Sequence, residues 1–286
     1  MLGNDLPGLH GKNQTLENLE FTIKNEHMFE NTDKVFVLNR IADPQKKQKI
    51  INLLECNNVK YIDLPFSMVE FNKLPNIKID LNQYKNYDRA NKAKLLKNHN
   101  LYLINNNGCR NFCIDYGKKN GYKWILPFDS NSFLTKNSFK NIINNIDENT
   151  EYIILPQKRL DNKGLTNMDI LKINEKIINN LPTQEPQIAF KNTSKHYFNP
   201  LIPYGLSPKA ELLKAFNVKG KWCAWTDFRF VNIKSRTFPN VKYKILSYVI
   251  RLSSHNKHNG VGNNWDNRWH GIYLLIQQIK HHILTP

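Results

Sequence analysis

The chain has 286 residues, a net charge of +17 from 41 basic and 24 acidic side chains, and a 40% hydrophobic share that includes five Trp and fifteen Phe. That length and apolar content are enough for a folded core and exclude a disordered chain. The basic excess points to an anionic partner (nucleic acid, a membrane surface or a phosphorylated small molecule), but it is spread along the chain and Lys-rich coding accounts for it equally well.

No basic-then-apolar leader opens the sequence, and no run reaches about 18 apolar residues. The expectation is a soluble, cytoplasmic protein, with peripheral membrane association through its basic surface as the alternative. Cys56, Cys109, Cys113 and Cys223 form no CxxC pair, which argues against a zinc site and for reduced thiols. Cys109 and Cys113, four apart on a predicted helix, share a face.

Only Met1 and Leu2 precede Gly3, room for a very short first strand or the end of a longer one. A polar loop with Asn4, Asp5 and His10 leads to a helix near Thr15. "KVFVLNRI" (34–41) reads as a strand. The helix "DPQKKQKIINLLECNN" comes next, with Asp43 as cap and Pro44 at its first position. "VKYIDLPF" is the next strand, and a helix is predicted from Tyr84 to Lys97. "LYLI" (101–104) is a strand or the lead-in to the next helix, which runs from Gly108 to Asn120. A strand from Tyr122 to Phe128, a helix from Lys136 to Ile146 and the strand "EYIILP" complete the first half. This alternation argues for an α/β sheet with largely parallel strands, flanked by helices. The second half is irregular: a strand "EPQIAF", a helix "SPKAELLKAF" capped by Ser207, an aromatic stretch "KWCAWTDFRF" and a C-terminal amphipathic helix "WHGIYLLIQQIKHHI".

Ligands of parallel α/β sheets bind beyond the carboxyl ends of the strands. Asp129 comes directly after the strand "YKWILPF", with Asn131 two residues on, so both fall where such a ligand would sit. Oxygen donors of this kind suit Mg2+ or Mn2+ beside a diphosphate. A plain turn is the competing reading of Asp129-Ser130-Asn131.

The unit running from Gly108 and Arg110-Asn111 through a helix and an apolar strand to Asp129-Ser130-Asn131 resembles the nucleotide-binding half of GT-A glycosyltransferases. It is most similar to the family-2 type. "GNDLPG", "GKNQTLENLEFTI", "VFVLNRI", "ILPFDSNSFLT" and "EPQIAF" look like an uncharacterised bacterial-type branch of these enzymes. The resemblance covers residues 3–215. It implies a single Rossmann-type GT-A-like domain over 1–286, with a nucleotide-binding half (1–160) and an acceptor-side half (161–286).

The function implied is transfer of a sugar from a nucleotide-diphosphate sugar to a glycan or glycolipid-type acceptor. Asn4, Asp5, Arg110, Asn111, Asp129, Lys158 and Arg159 would bind the donor, and Asp129, Asn131 and His270 would hold Mn2+ or Mg2+. Asn131 departs from the pattern, which has a second Asp there. Growing charge on the leaving diphosphate calls for cations, and Arg110, Lys158 and Arg159 supply them. An inverting reaction also needs a base. Asp227 is the first candidate, with Trp222 and Trp225 as a sugar-stacking face, and Glu185 is its rival. A packing role competes for His270, and His281-His282 has no convincing metal spacing. Two other functions stay open: a basic nucleic-acid-binding protein, although nucleic-acid motifs are absent, and a catalytically degenerate sugar-nucleotide-binding subunit.

Overall fold

A computed structural model describes residues 1–11, 13–160, 175–181, 183–225, 232–252 and 264–284. In chain order the elements are α1 (Gln14–Asn25), β1 (Val35–Asn39), α2 (Pro44–Cys56), β2 (Lys60–Leu64), α3 (Met68–Asn72), α4 (Leu81–Asn86), α5 (Arg89–Leu103), α6 (Asn106–Lys119), β3 (Trp124–Ile125), β4 (Ser132–Phe133), α7 (Lys136–Asn145), β5 (Tyr152–Leu160), α8 (Glu175–Asn180), β6 (Thr183–Lys191), α9 (Pro208–Ala215), a 3-10 turn (Lys221–Trp225), β7 (Tyr243–Ile245), β8 (Val249–Leu252) and α10 (Asn264–Leu284).

The molecule is mixed α/β, but its sheet is not largely parallel. β1 and β2 form a parallel pair, and a six-stranded sheet runs β3-β6-β5-β8-β4, with β7 beside β5. Within it β3–β6, β5–β6 and β4–β8 are antiparallel, while β5–β7 and β5–β8 are parallel. Strand–helix alternation predicts parallel neighbours only where each crossover carries a helix back across the sheet. β6 instead runs back directly along β5, and the short strands β4, β7 and β8 carry too little pattern to be read from sequence.

Other boundaries moved for local reasons. "LYLI" ends α5 and forms no strand. The helix expected over 84–97 is split, because Asp88 caps a new helix by accepting from the Asn91 amide at 2.8 Å. Asp43 caps α2 as expected, with Pro44 at its first position. Ser207 stands before α9 in the left-handed region (φ 50°) and makes no side-chain cap bond. Among the described residues no helix is long and apolar enough to cross a membrane.

Leu2 pairs with β1, next to a residue that reaches the segment after β3. Its amide donates to Val37 O and its carbonyl accepts from Asn39 N, both at 2.7 Å, while Met1 N donates to Phe128 O at 3.1 Å. From Leu2 the chain therefore builds β1 and β2 on one side, then returns through α6 to β3 on the other.

One core cluster fixes α6, β6 and α9 relative to one another. Ile114 of α6, Tyr152 and Ile154 of β5, Ile188 and Phe190 of β6, and Leu212 and Leu213 of α9 are buried together. Each such side chain contributes about 1.5–3 kcal/mol through burial. α6 also lies tightly on β3: a Cβ at Gly117 would stand 2.3 Å from Ile125 Cγ1.

Candidate functional site

The packed faces of α6, β6 and α9 bring together residues far apart in sequence. Arg110 of α6 donates from Nη2 to Asp129 Oδ1 at 2.6 Å. Lys209, in the first turn of α9, donates from Nζ to Asp129 Oδ2 at 3.1 Å, and Gln187 of β6 donates to the same oxygen at 3.2 Å. The Arg110 and Lys209 side chains are each 3% exposed, and that of Asp129 is 20% exposed, so the carboxylate forms the open mouth of a buried charge cluster.

Supporting contacts fix these partners. Asn107 accepts from Arg110 Nη1 at 2.7 Å and donates to Asn199 O and Pro208 O, joining α6 to the entry of α9. Arg110 also lies over the Phe198 ring. Asn111 exchanges hydrogen bonds with the Phe198 backbone, at 2.9 and 3.0 Å, and so holds the segment that Arg110 rests on. On the sheet, Ser132 Oγ accepts from Gln157 at 2.9 Å and Gln187 at 3.4 Å.

This layout sets the electrostatics. Burial pulls the Asp129 pKa upward, but Lys209, Arg110 and Arg251 outweigh it and hold the carboxyl well below its usual range. Burial likewise lowers the Lys209 pKa against the opposing pull of Asp129 and Glu185. Arg251 reaches this cluster from β8, where it pairs in register with Ser132 on one side and Arg159 on the other.

Most of the other residues singled out from sequence have structural partners. Asn4 is a structural clamp: it donates to Arg40 O and Leu103 O and accepts from Ala42 N. Asp5 accepts from the amide and hydroxyl of Thr15 and pairs with Lys46, beside His10. Lys158 turns to the exposed edge and meets Thr183 Oγ1 at 3.1 Å. Arg159, two residues beyond Gln157, shares the face of the Asp129 cluster. Glu185 lies on β6 at an irregularity of its pairing with β5, its charge acts on Lys209, and its Oε1 is buried with no hydrogen-bond partner. Asp227 lies outside the described residues, as do the side chains of Trp225 and His282. Trp222 donates to Val218 O and packs against the core that holds α9.

The expected metal ligands are not gathered. Both oxygens of Asp129 already face cationic or amide donors. Asn131 donates its amide to Leu252 O at 3.1 Å and joins the end of β8. His270 stacks on Tyr84, and burial together with Lys85 and Lys92 lowers its pKa. Among the described residues no group of three His, Cys, Asp or Glu side chains is poised around a common point. Among the described residues, Asp129, Asn131 and His270 do not form a donor set for Mg2+ or Mn2+.

Lys209, Gln187, Arg251 and Asn107 escaped the sequence reading. A glutamine within the apolar strand "EPQIAF" is the signal that was available, since a buried amide needs a partner. The Lys209 signal is weaker, because a lysine beside Pro208 reads as an ordinary first-turn residue.

A cavity of about 630 Å3 lies beyond the far end of α9, lined by Lys214, Phe216, Lys219, Cys223, Phe238 and Tyr243 among others. No member of the Asp129 cluster lines it, so this cavity and the concentrated charge are separate features.

No protein-family model matches the chain, and neither a curated protein nor a solved structure matches it.

Proposed function

We propose that the chain is a GT-A-type glycosyltransferase that moves a sugar from a nucleotide-diphosphate sugar to a glycan or glycolipid-type acceptor. One observation carries the reading. The Arg110–Asp129–Lys209 cluster sits just past the carboxyl end of β3, with its carboxylate 20% exposed. Open α/β sheets bind nucleotides outside the carboxyl ends of their strands.

The chemistry asks for little beyond this. The bond from the anomeric carbon to the donor phosphate oxygen breaks, and its electron pair leaves with the diphosphate. Arg110, Lys209 and Arg251 would offset the growing negative charge in a poorly hydrated setting, where such interactions are strongest. The acceptor oxygen forms the new bond and gives its proton to a carboxylate. Glu185 is suited to that role because one oxygen has no hydrogen-bond partner and its charge acts on Lys209 of the cluster. Asp227 remains the other candidate.

The test is a thermal-shift screen with UDP-, GDP- and dTDP-sugars, then hydrolysis and transfer assays. A ligand that binds only the folded chain raises its melting temperature. One nucleotide class should do so, and Asp129→Ala should abolish the effect. A folded Asp129→Ala protein with unchanged binding would remove the site from consideration. Binding without turnover would identify a sugar-nucleotide-binding subunit instead.

A further inference from the structure

Resting on the reading just given, we infer that the cavity beyond the far end of α9 binds the acceptor, and that this acceptor is an acidic saccharide. Apolar side chains in the cavity wall meet the carbon faces of the sugar rings, and Lys214 and Lys219 meet the carboxylates.

The cavity measures about 630 Å3, a volume usual for small-ligand sites. Its wall has the two parts that a sugar requires. One part is apolar: Phe238, Val241 and Tyr243 line it and are each half-buried, so some of each side chain is left uncovered. The other part is polar: Asn217, Ser235, Thr237 and Asn240 line the same space and are exposed. Their amides and hydroxyls both donate and accept, as sugar hydroxyls do. A lipid tail in this space would strip water from those groups without replacing its hydrogen bonds.

The wall is in place before a ligand arrives. Phe238 N donates to Ala215 O at 2.9 Å and so fastens segment 235–241 to the end of α9. The Phe238 ring centroid lies 4.1 Å from that of His196. Arg236 gives Nε and Nη2 to the two oxygens of Glu211, so its charge is already answered. Lys214 and Lys219 differ from it. Both line the cavity, both are exposed, and among the described residues neither makes an ion pair. They are the cations that carboxylates on a sugar can meet. Lys209 stands in the first turn of α9 and Lys214 in its last, five residues apart (214 − 209), which is about 7.5 Å of helix rise. A saccharide of a few rings covers that separation between the cavity and the charge cluster.

Calorimetric titration of the full chain with tetragalacturonate and with its methyl ester tests this, since the two differ chiefly in carboxylate charge. Tetragalacturonate should bind about fivefold more tightly, the size expected from two exposed ion pairs. Lys214→Glu and Lys219→Glu should each erase most of that preference, and Tyr243→Ala should weaken both sugars together. Lys73→Glu, an equal change of charge on exposed α3, should alter neither. Equal affinity for the two sugars overturns the inference, and so does the absence of binding by either. Equal losses in Lys73→Glu and Lys214→Glu would mean bulk charge attraction and would also overturn it. Each of these failures leaves the donor reading standing, because the melting shifts with nucleotide sugars test that reading separately.

Discussion

Asp5 and Asp129 look alike at first. Each is a carboxylate near the carboxyl edge of the sheet, each is mostly buried, and each pairs with a lysine. Their partners differ in origin. Asp5 is held by Thr15 at the start of α1 and by Lys46 of α2, with His10 beside it, and it serves the amide of Thr15. Asp129 is held by Arg110, Gln187 and Lys209, which three separate elements deliver. The first arrangement is chiefly a cap on α1, with one ion pair to α2. The second exists only when α6, β6 and α9 are docked on the shared core, so its charge cluster is a product of the fold. A cluster of that kind can serve binding, since the core has already fixed its geometry.

The strongest way to break this contrast is to remove the carboxylate that two buried cations share. Asp129→Ala should cost about 3–5 kcal/mol in urea denaturation, because it leaves Arg110 and Lys209 without their common counter-ion. Adding Lys209→Met should restore part of that loss, since one orphaned charge goes with it. If the double variant is less stable than Asp129→Ala, the cluster is held by packing and the electrostatic account fails.

This contrast also shows what a sequence can disclose. α2 was legible because Asp43, Pro44 and its apolar spacing all act within one helix. The strand "EYIILP" was legible for the same reason, although β5 continues to Leu160 beyond Pro156. The pairing of β6 against β5 and the insertion of β8 were not legible, because strand neighbours depend on contacts between distant segments or on short strands with almost no pattern. Arg110 and Asp129 were reachable through their order around α6 and β3. Lys209 and Arg251 were not, since nothing in "SPKAELL" announces that Lys209 meets a carboxylate 80 positions away, and nothing in "YVIRL" that the charge of Arg251 acts on the same group.

A smaller effect is expected at the local site. Asp5→Ala should cost about 1–2 kcal/mol, the usual worth of a lost helix cap, with melting or urea midpoints as the readout. Its partner Lys46 keeps 14% of its side chain exposed, against 3% for Lys209. A loss at Asp5 equal to that at Asp129 would erase the distinction between a cap and a fold-built cluster.

The smallest effect separates the two sites by pH. Burial lowers the pKa of His10 below its ordinary 6.5; Asp5 opposes this, while Lys46, Arg268 and Arg251 reinforce it. The ring is therefore held neutral in the folded chain, with Nδ1 accepting the Leu6 amide at 2.9 Å. A histidine whose folded pKa is depressed stabilises the protein above the unfolded value. That contribution is lost as pH falls below about 6.5, because the unfolded chain then takes up the proton first. Asp129 behaves differently: its carboxyl is held far below neutral and contributes no titration in this range. Stability should thus decline modestly from pH 7 toward pH 5, and the decline should shrink in His10→Gln. Exchange of the Leu6 amide, corrected for its intrinsic pH dependence, should rise over the same interval, since a protonated ring no longer accepts that hydrogen bond. An unchanged Leu6 exchange rate would show that His10 is not the group that titrates, and the pH contrast between the two carboxylate sites would then have no basis.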